Sequence, residues 1–158
     1  MENRTGKAEC EDAQLDFRAA ASGDAPRLAV MNRQLILDEG HRNRMTLPEL
    51  EERMREWLSC EYRATIFYLG DEAIGYALYR AEPDWIHLRQ FHIQSAQRRH
   101  GYGTQALGWL KANPWKDASR IRTDVLIDNP VGIAFWRSVG FQDYCLTMEL
   151  ENGRRTAE

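Results

Sequence analysis

The sequence predicts an α/β (α+β) fold: a mixed, mostly antiparallel central sheet of about six or seven strands, with about four helices on its two faces. Two observations predict it. The order of strand-like and helix-like patterns is β-α-α-β-β-β-α-β-α-β, which is neither strict βα alternation nor all-β. Three of the strands also follow one another through short turns, the mark of antiparallel neighbours.

The elements read in order. Residues 14–20, "QLDFRAA", alternate apolar and polar as an outer strand does. "SGDAP" follows, with Asp24 as N-cap and Pro26 in the first turn of a helix. Leu28, Met31, Leu35 and Ile36 recur at helical spacing, and Gly40 stops the run. Thr46 caps a second helix, with Pro48 in its first turn and Glu49 at the capping-box position; Leu50, Met54, Trp57 and Leu58 make its apolar face. Residues 62–70 and 73–80 form a hairpin turning at Gly70-Asp71-Glu72, and Glu82-Pro83-Asp84 turns into a third strand, "WIHLRQFHI", at 85–93. A helix covers 104–112, a strand 121–127, a short helix 131–139 ended by Gly140, and a last strand 145–150. One domain spans 14–151, between flexible tails at 1–13 and 152–158.

Composition narrows the function. The chain of 158 residues is 43% apolar and 28% charged, ordinary values for a globular domain with a real core. Its net charge of −3 argues against nucleic acid as a partner. It has no apolar run long enough for a membrane span and no signal-like N-terminus, so no membrane and a cytoplasmic location are expected. Cys10, Cys60 and Cys145 are too few and too scattered for a disulfide framework or a metal site, and Cys145 is expected to be a small core residue. No metal is expected.

The stretch that carries chemistry is "QRRHGYGTQAL", residues 97–107, at a strand-to-helix junction. A helix N-terminus exposes unpaired N–H groups and about half a positive charge. Glycines let a phosphate approach the backbone, and Arg98 and Arg99 can add ionic contacts. The stretch therefore reads as an anion site, most simply a diphosphate cradle. Gly101-x-Gly103-x-x-Ala106 also satisfies the dinucleotide pattern G-x-G-x-x-G/A. That pattern belongs to alternating βαβ, and here three successive strands precede it. The Walker pattern is absent.

Arg98-x-x-Gly101-x-Gly103 resembles the Q/R-x-x-G-x-G/A loop of the GNAT family of N-acetyltransferases. "DNPVGIAFWRSVGF", residues 128–141, resembles the same family's asparagine, short helix and Gly-Phe, and one helix and one strand separate the two motifs as in that family. The resemblance spans roughly residues 14–151. It implies acetyl-CoA as co-substrate, with its pyrophosphate held by Arg98, Arg99, His100, Gly101, Tyr102, Gly103 and Thr104. The pantetheine arm would pair with Phe91, His92 and Ile93, where the central strand and the next one splay apart. Asn129 would help to hold the cofactor, and Phe135 would lie beside the arm. The implied reaction is transfer of the acetyl group to a primary amine of a small molecule or peptide, by direct attack in a ternary complex.

Such an attack needs the neutral amine, so a base must accept a proton. His87 is the first candidate, at the place where some members of the family carry a glutamate, and His92 is the alternative. A regular strand points the two to opposite faces; a bulge, common in the family here, would change that parity. A main-chain N–H near residues 91–93 could meet the oxyanion. The resemblance implies a tyrosine as acid, but Trp136 occupies its place, so the thiolate leaves without an acid, or water helps, or Tyr144 substitutes. The acceptor is expected over the first two helices and their link. There Asp38 and Glu39 could attract a cationic amine, Arg42 and Arg44 could hold a carboxylate, and Trp57 would line the approach. A coenzyme-binding module with little catalysis is the alternative, and a homodimer is compatible with either reading.

Overall fold

The computed structural model describes residues 13–153. The expected tails, and Cys10 with them, lie almost entirely outside those residues. The chain forms two compact units, one running to Leu126 and one from Ile127.

In the first unit, β1 (Asp16–Ala19) leads through a 3-10 turn (Ser22–Asp24) into α1 (Ala25–Asp38), followed by α2 (Leu47–Ser59). Then come β2 (Tyr62–Leu69), β3 (Glu72–Ala81) and β4 (Trp85–Ile93), a second 3-10 turn (Ser95–Gln97), α3 (Tyr102–Ala112) and β5 (Arg120–Thr123). The sheet runs β1-β2-β3-β4-β5, antiparallel except for the parallel β4–β5 pair. Sheet and helices thus agree with the mixed, mostly antiparallel fold predicted.

Local chemistry explains the element ends. Asp24 stands at the α1 N-cap, but its carboxylate reaches back to the Ala21 N–H (2.8 Å) and to Arg18 (2.7 Å) rather than into the helix. At α2 the Glu49 carboxylate accepts from both the Thr46 N–H (2.6 Å) and its hydroxyl (2.8 Å), fixing where the helix begins. Gly40 ends α1 at φ 64°, and the His41 N–H closes onto Ile36 O at 3.0 Å.

Helices α1 and α2 cover one face of the sheet, where Ala25, Leu28, Met31 and Met54 pack with Tyr62, Ala64, Ile66, Tyr76 and Leu78. Aromatic contacts tie the other face to α3 and its exit. Phe17 stacks on Trp109 at 4.3 Å, and Tyr79 meets Trp115 edge-on at 5.1 Å. Gly75 allows β3 to approach β4, since a Cβ there would lie 2.2 Å from the His92 carbonyl oxygen.

The expected sheet differs in two places. Strand β5 stops at Thr123 instead of Ile127, and residues 145–150 form no strand, so the described sheet has five strands rather than about six or seven. Alternation alone supplies no ladder: a strand exists only where a partner offers hydrogen bonds in register.

The second unit contains α4 (Pro130–Ser138), capped by Asn129, whose side-chain oxygen accepts from the Gly132 N–H at 3.0 Å. Trp136 packs edge-on against Phe135 (5.0 Å) and Phe141 (4.9 Å), and Arg137 pairs with Asp143 at 2.6 Å. Cys145, expected in a core, is exposed within this unit.

Candidate active site

Strand β4 organises the site. Leu78 pairs with Gln90 but Tyr79 with Leu88, so Arg89 is an extra residue, a bulge. The bulge shifts the alternation by one, and His87 and His92, opposite Arg80 and Tyr76, come to lie on the same face, toward α1 and α2. The pairing of β4 with β5 runs only from Trp85 to Leu88. The Gln94 N–H bonds Ile74 O on β3 at 2.8 Å, so by alternation the main-chain groups of Phe91 and Ile93 face the other side, where the β5 ladder has ended.

Beyond β4 the chain turns sharply. Arg99 has φ 63° and Gly101 φ 79°, both left-handed, and Gly101 is the residue before α3. Space is open around Gly101: an added Cβ would meet nothing within 4 Å. The first amide of α3 seen to bond backward into the turn is Gln105, to Gly101 O at 3.0 Å. The N–H groups of Tyr102, Gly103 and Thr104 are thus the helix's leading donors, with the positive end of its dipole behind them. His100 stacks on Tyr102 at 5.7 Å. Arg98 turns elsewhere: its Nε donates to Ile93 O at 2.8 Å, and its guanidinium pairs with Asp38 at the end of α1. It clamps the turn to β4 and α1.

The two histidines differ. His92 is 2% exposed, and neither ring nitrogen has a hydrogen-bond partner. Burial, reinforced by the charge of Arg98, holds its pKa down at about 4. His87 is half-buried, its Nδ1 has no partner, and burial together with Arg80 lowers its pKa. The carboxylates at the end of α1 differ too. Burial pushes Asp38 up, but hydrogen bonds from Gln34 and Arg98 outweigh it and hold the carboxyl below its ordinary value. Burial raises Glu39, and the neighbouring Asp38 charge adds to it.

Trp57 centres a cluster with residues the sequence did not single out. Its ring lies 5.6 Å from that of Tyr62, which lies 6.4 Å from the His87 ring. The guanidiniums of Arg53 and Arg89 lie over Trp57 at 4.5 Å and 4.6 Å. Arg53 donates to the oxygen of buried Asn32 at 2.9 Å. Beside Asn32 is the buried Tyr76 hydroxyl, which donates to Gln90 at 2.8 Å and whose pKa burial pushes up. One signal was available: Arg53 precedes Trp57 by one helical turn, so both share a face. Arg89 was hidden, because the bulge that turns it was not in the pattern.

Arg42 lies in the link between α1 and α2, which has no regular structure. Asn129, Phe135 and Tyr144 belong to the second unit. Among the described residues no group of three or more His, Cys, Asp or Glu could hold a metal ion, and no helix is long and apolar enough to cross a membrane.

The family model described as "Acetyltransferase (GNAT) family" matches residues 33–141. Among the curated proteins none matches the chain. Solved structures share its fold. An acetyltransferase from Thermus thermophilus is 25% identical, with a TM-score of 0.69 over 82% of this chain and 87% of that one. A ribosomal-protein-alanine N-acetyltransferase from Brucella melitensis biovar Abortus 2308 is 10% identical, with a TM-score of 0.70 over 87% and 99%. An aminoglycoside N-acetyltransferase in complex with CoA is 13% identical, with a TM-score of 0.70 over 88% and 95%.

Proposed function

This chain belongs to the GNAT acetyltransferase family, and on that premise we propose that it transfers an acetyl group from acetyl-CoA to a primary amine by direct attack in a ternary complex. The observation that carries the proposal is the left-handed turn at Arg99 and Gly101, which presents the leading amides of α3 just past the point where β5 leaves β4. The residues fit the cofactor: a pyrophosphate needs convergent N–H donors, a positive helix end and room at the backbone, and the turn has all three. Gly101, Tyr102, Gly103 and Thr104 would hold it, with Arg99 and His100 beside them. The main chain of Phe91 and Ile93 would bind the arm. Acetyl-CoA supplies the activated acetyl group.

His87 is the better-placed base. It is half-buried with its Nδ1 unpartnered, and burial with the charge of Arg80 lowers its pKa, which favours the neutral ring a base must present. His92, at about 4 and 2% exposed, is a poor proton acceptor, and its burial suits a role in shaping the strand. Asp38 is engaged by Arg98, so Glu39 is the carboxylate left to meet the ammonium. Trp136 stands where the family has a tyrosine, and an indole gives no useful proton, so the departing thiolate takes its proton from water. The same substitution favours a second reading, an acyl-CoA-binding module with little turnover.

Thiol release from acetyl-CoA, followed over a panel of amines, tests the two. Turnover abolished by His87→Ala supports the transferase. Tight binding of acetyl-CoA with no amine acetylated supports the module.

A further inference from the structure

We propose that Arg53 and Arg89 form a binding site for an oxyanion on the acceptor, so that the preferred substrates are amines that also carry a carboxylate or phosphate. The inference rests on the transferase reading for the word acceptor, and on the arginines for the charge. Arg18, Arg55, Arg80, Arg98, Arg120 and Arg137 each pair with a carboxylate. Arg53 and Arg89 pair with none among the described residues, although each guanidinium lies over the Trp57 indole, at 4.5 Å and 4.6 Å. Their mutual repulsion is felt: burial, then the Arg89 charge, lowers the pKa of Arg53. The Arg53 Nε is buried and meets no acceptor. A half-buried guanidinium with an unmet donor and a like charge beside it is unfavourable alone. An oxyanion beside the two guanidiniums would offset the repulsion.

The site is built rather than incidental. Asn32, 1% exposed, holds Arg53 through one Nη at 2.9 Å, and Trp57 supports its plane. Arg89 reaches the same ring from the bulge and lies 5.7 Å from the centre of Tyr62. Tyr62 in turn adjoins His87, which connects the cationic pair to the proposed base. Arg80 also lies over Tyr62 at 5.5 Å, but Glu61 and Glu82 neutralise it, so the excess positive charge falls on Arg53 and Arg89. A polycationic amine would meet repulsion here. The chemistry therefore separates this chain from an aminoglycoside acceptor despite the shared fold.

The test is calorimetric titration of the full chain, with and without CoA. The probes are common amino acids against their amides, phosphoethanolamine against ethanolamine, and spermidine. The expected result is binding of the anionic member of a pair about tenfold or more tighter than its neutral match. That preference should be lost in Arg53→Gln and in Arg89→Ala, with Arg53→Lys intermediate. Arg89 is exposed, so its variant keeps the test valid should Arg53→Gln disturb Asn32. Whether the amino acids or phosphoethanolamine gain more tells carboxylate from phosphate. Equal binding within pairs, no binding of any anionic probe, or spermidine binding best overturns the proposal. Failure to bind CoA would instead overturn the transferase reading, and the comparison on the CoA-free chain would still decide the arginine site.

Discussion

The two ends of the candidate site are built from different materials. The turn before α3 is a backbone site: two left-handed residues and the leading amides of a helix, with the Arg98 side chain used as a clamp. The face of β4 toward α1 and α2 is a side-chain site, made by His87, His92, Trp57, Tyr62, Arg53 and Arg89 and dependent on one bulge. A backbone site tolerates changes in its side chains and depends on conformation. A side-chain site depends on identity and register, so it is the part free to differ between proteins that share a fold.

That contrast can be broken by substitution. The largest effect is expected at His87: His87→Ala should lower kcat by roughly 10²–10⁴-fold while acetyl-CoA binding is unchanged, read by steady-state kinetics and calorimetry in parallel. Equal losses in both would place His87 in cofactor binding instead.

His92 titrates against the fold. Its native pKa of about 4 lies below the unfolded value of about 6.5, so between those values the unfolded chain binds more protons. The neutral ring's contribution is complete above about pH 6.5 and is lost as pH falls through about 4, a loss of about 3 kcal/mol. Urea unfolding at a series of pH values should show that fall, and His92→Asn should flatten it. An unchanged pH profile in the variant would assign the fall to other groups.

Gly101→Ala tests the backbone end. A non-glycine residue at φ 79° costs about 1–2 kcal/mol, so either stability or acetyl-CoA affinity should drop by that amount. The smallest effect is expected at Arg99, already left-handed at φ 63°. Arg99→Gly relieves strain but adds backbone entropy, so thermal stability should move by less than about 1 kcal/mol while acetyl-CoA binding weakens through the lost charge.

The same contrast explains what could be read from the sequence. Thr46-Leu47-Pro48-Glu49 is a local signal, and α2 begins where it says. Gly101 marks the turn because a left-handed position selects glycine locally. Trp85–Ile93 was legible as a strand, but its register was not, since the bulge at Arg89 arises only when β3 is laid beside it. Arg53 and Arg89 were not singled out, because only the folding of two elements distant in sequence brings both over Trp57. Residues 145–150, read as a last strand, form none.

The central claim is that the turn before α3 binds the diphosphate of coenzyme A. Calorimetric titration with acetyl-CoA, coenzyme A and NAD, on the native chain and on Gly101→Val, tests it most directly. The account predicts binding of both coenzyme A forms, none of NAD, and at least about tenfold weaker binding in the variant. Coenzyme A binding unaffected by Gly101→Val, or no coenzyme A binding at all, would contradict it.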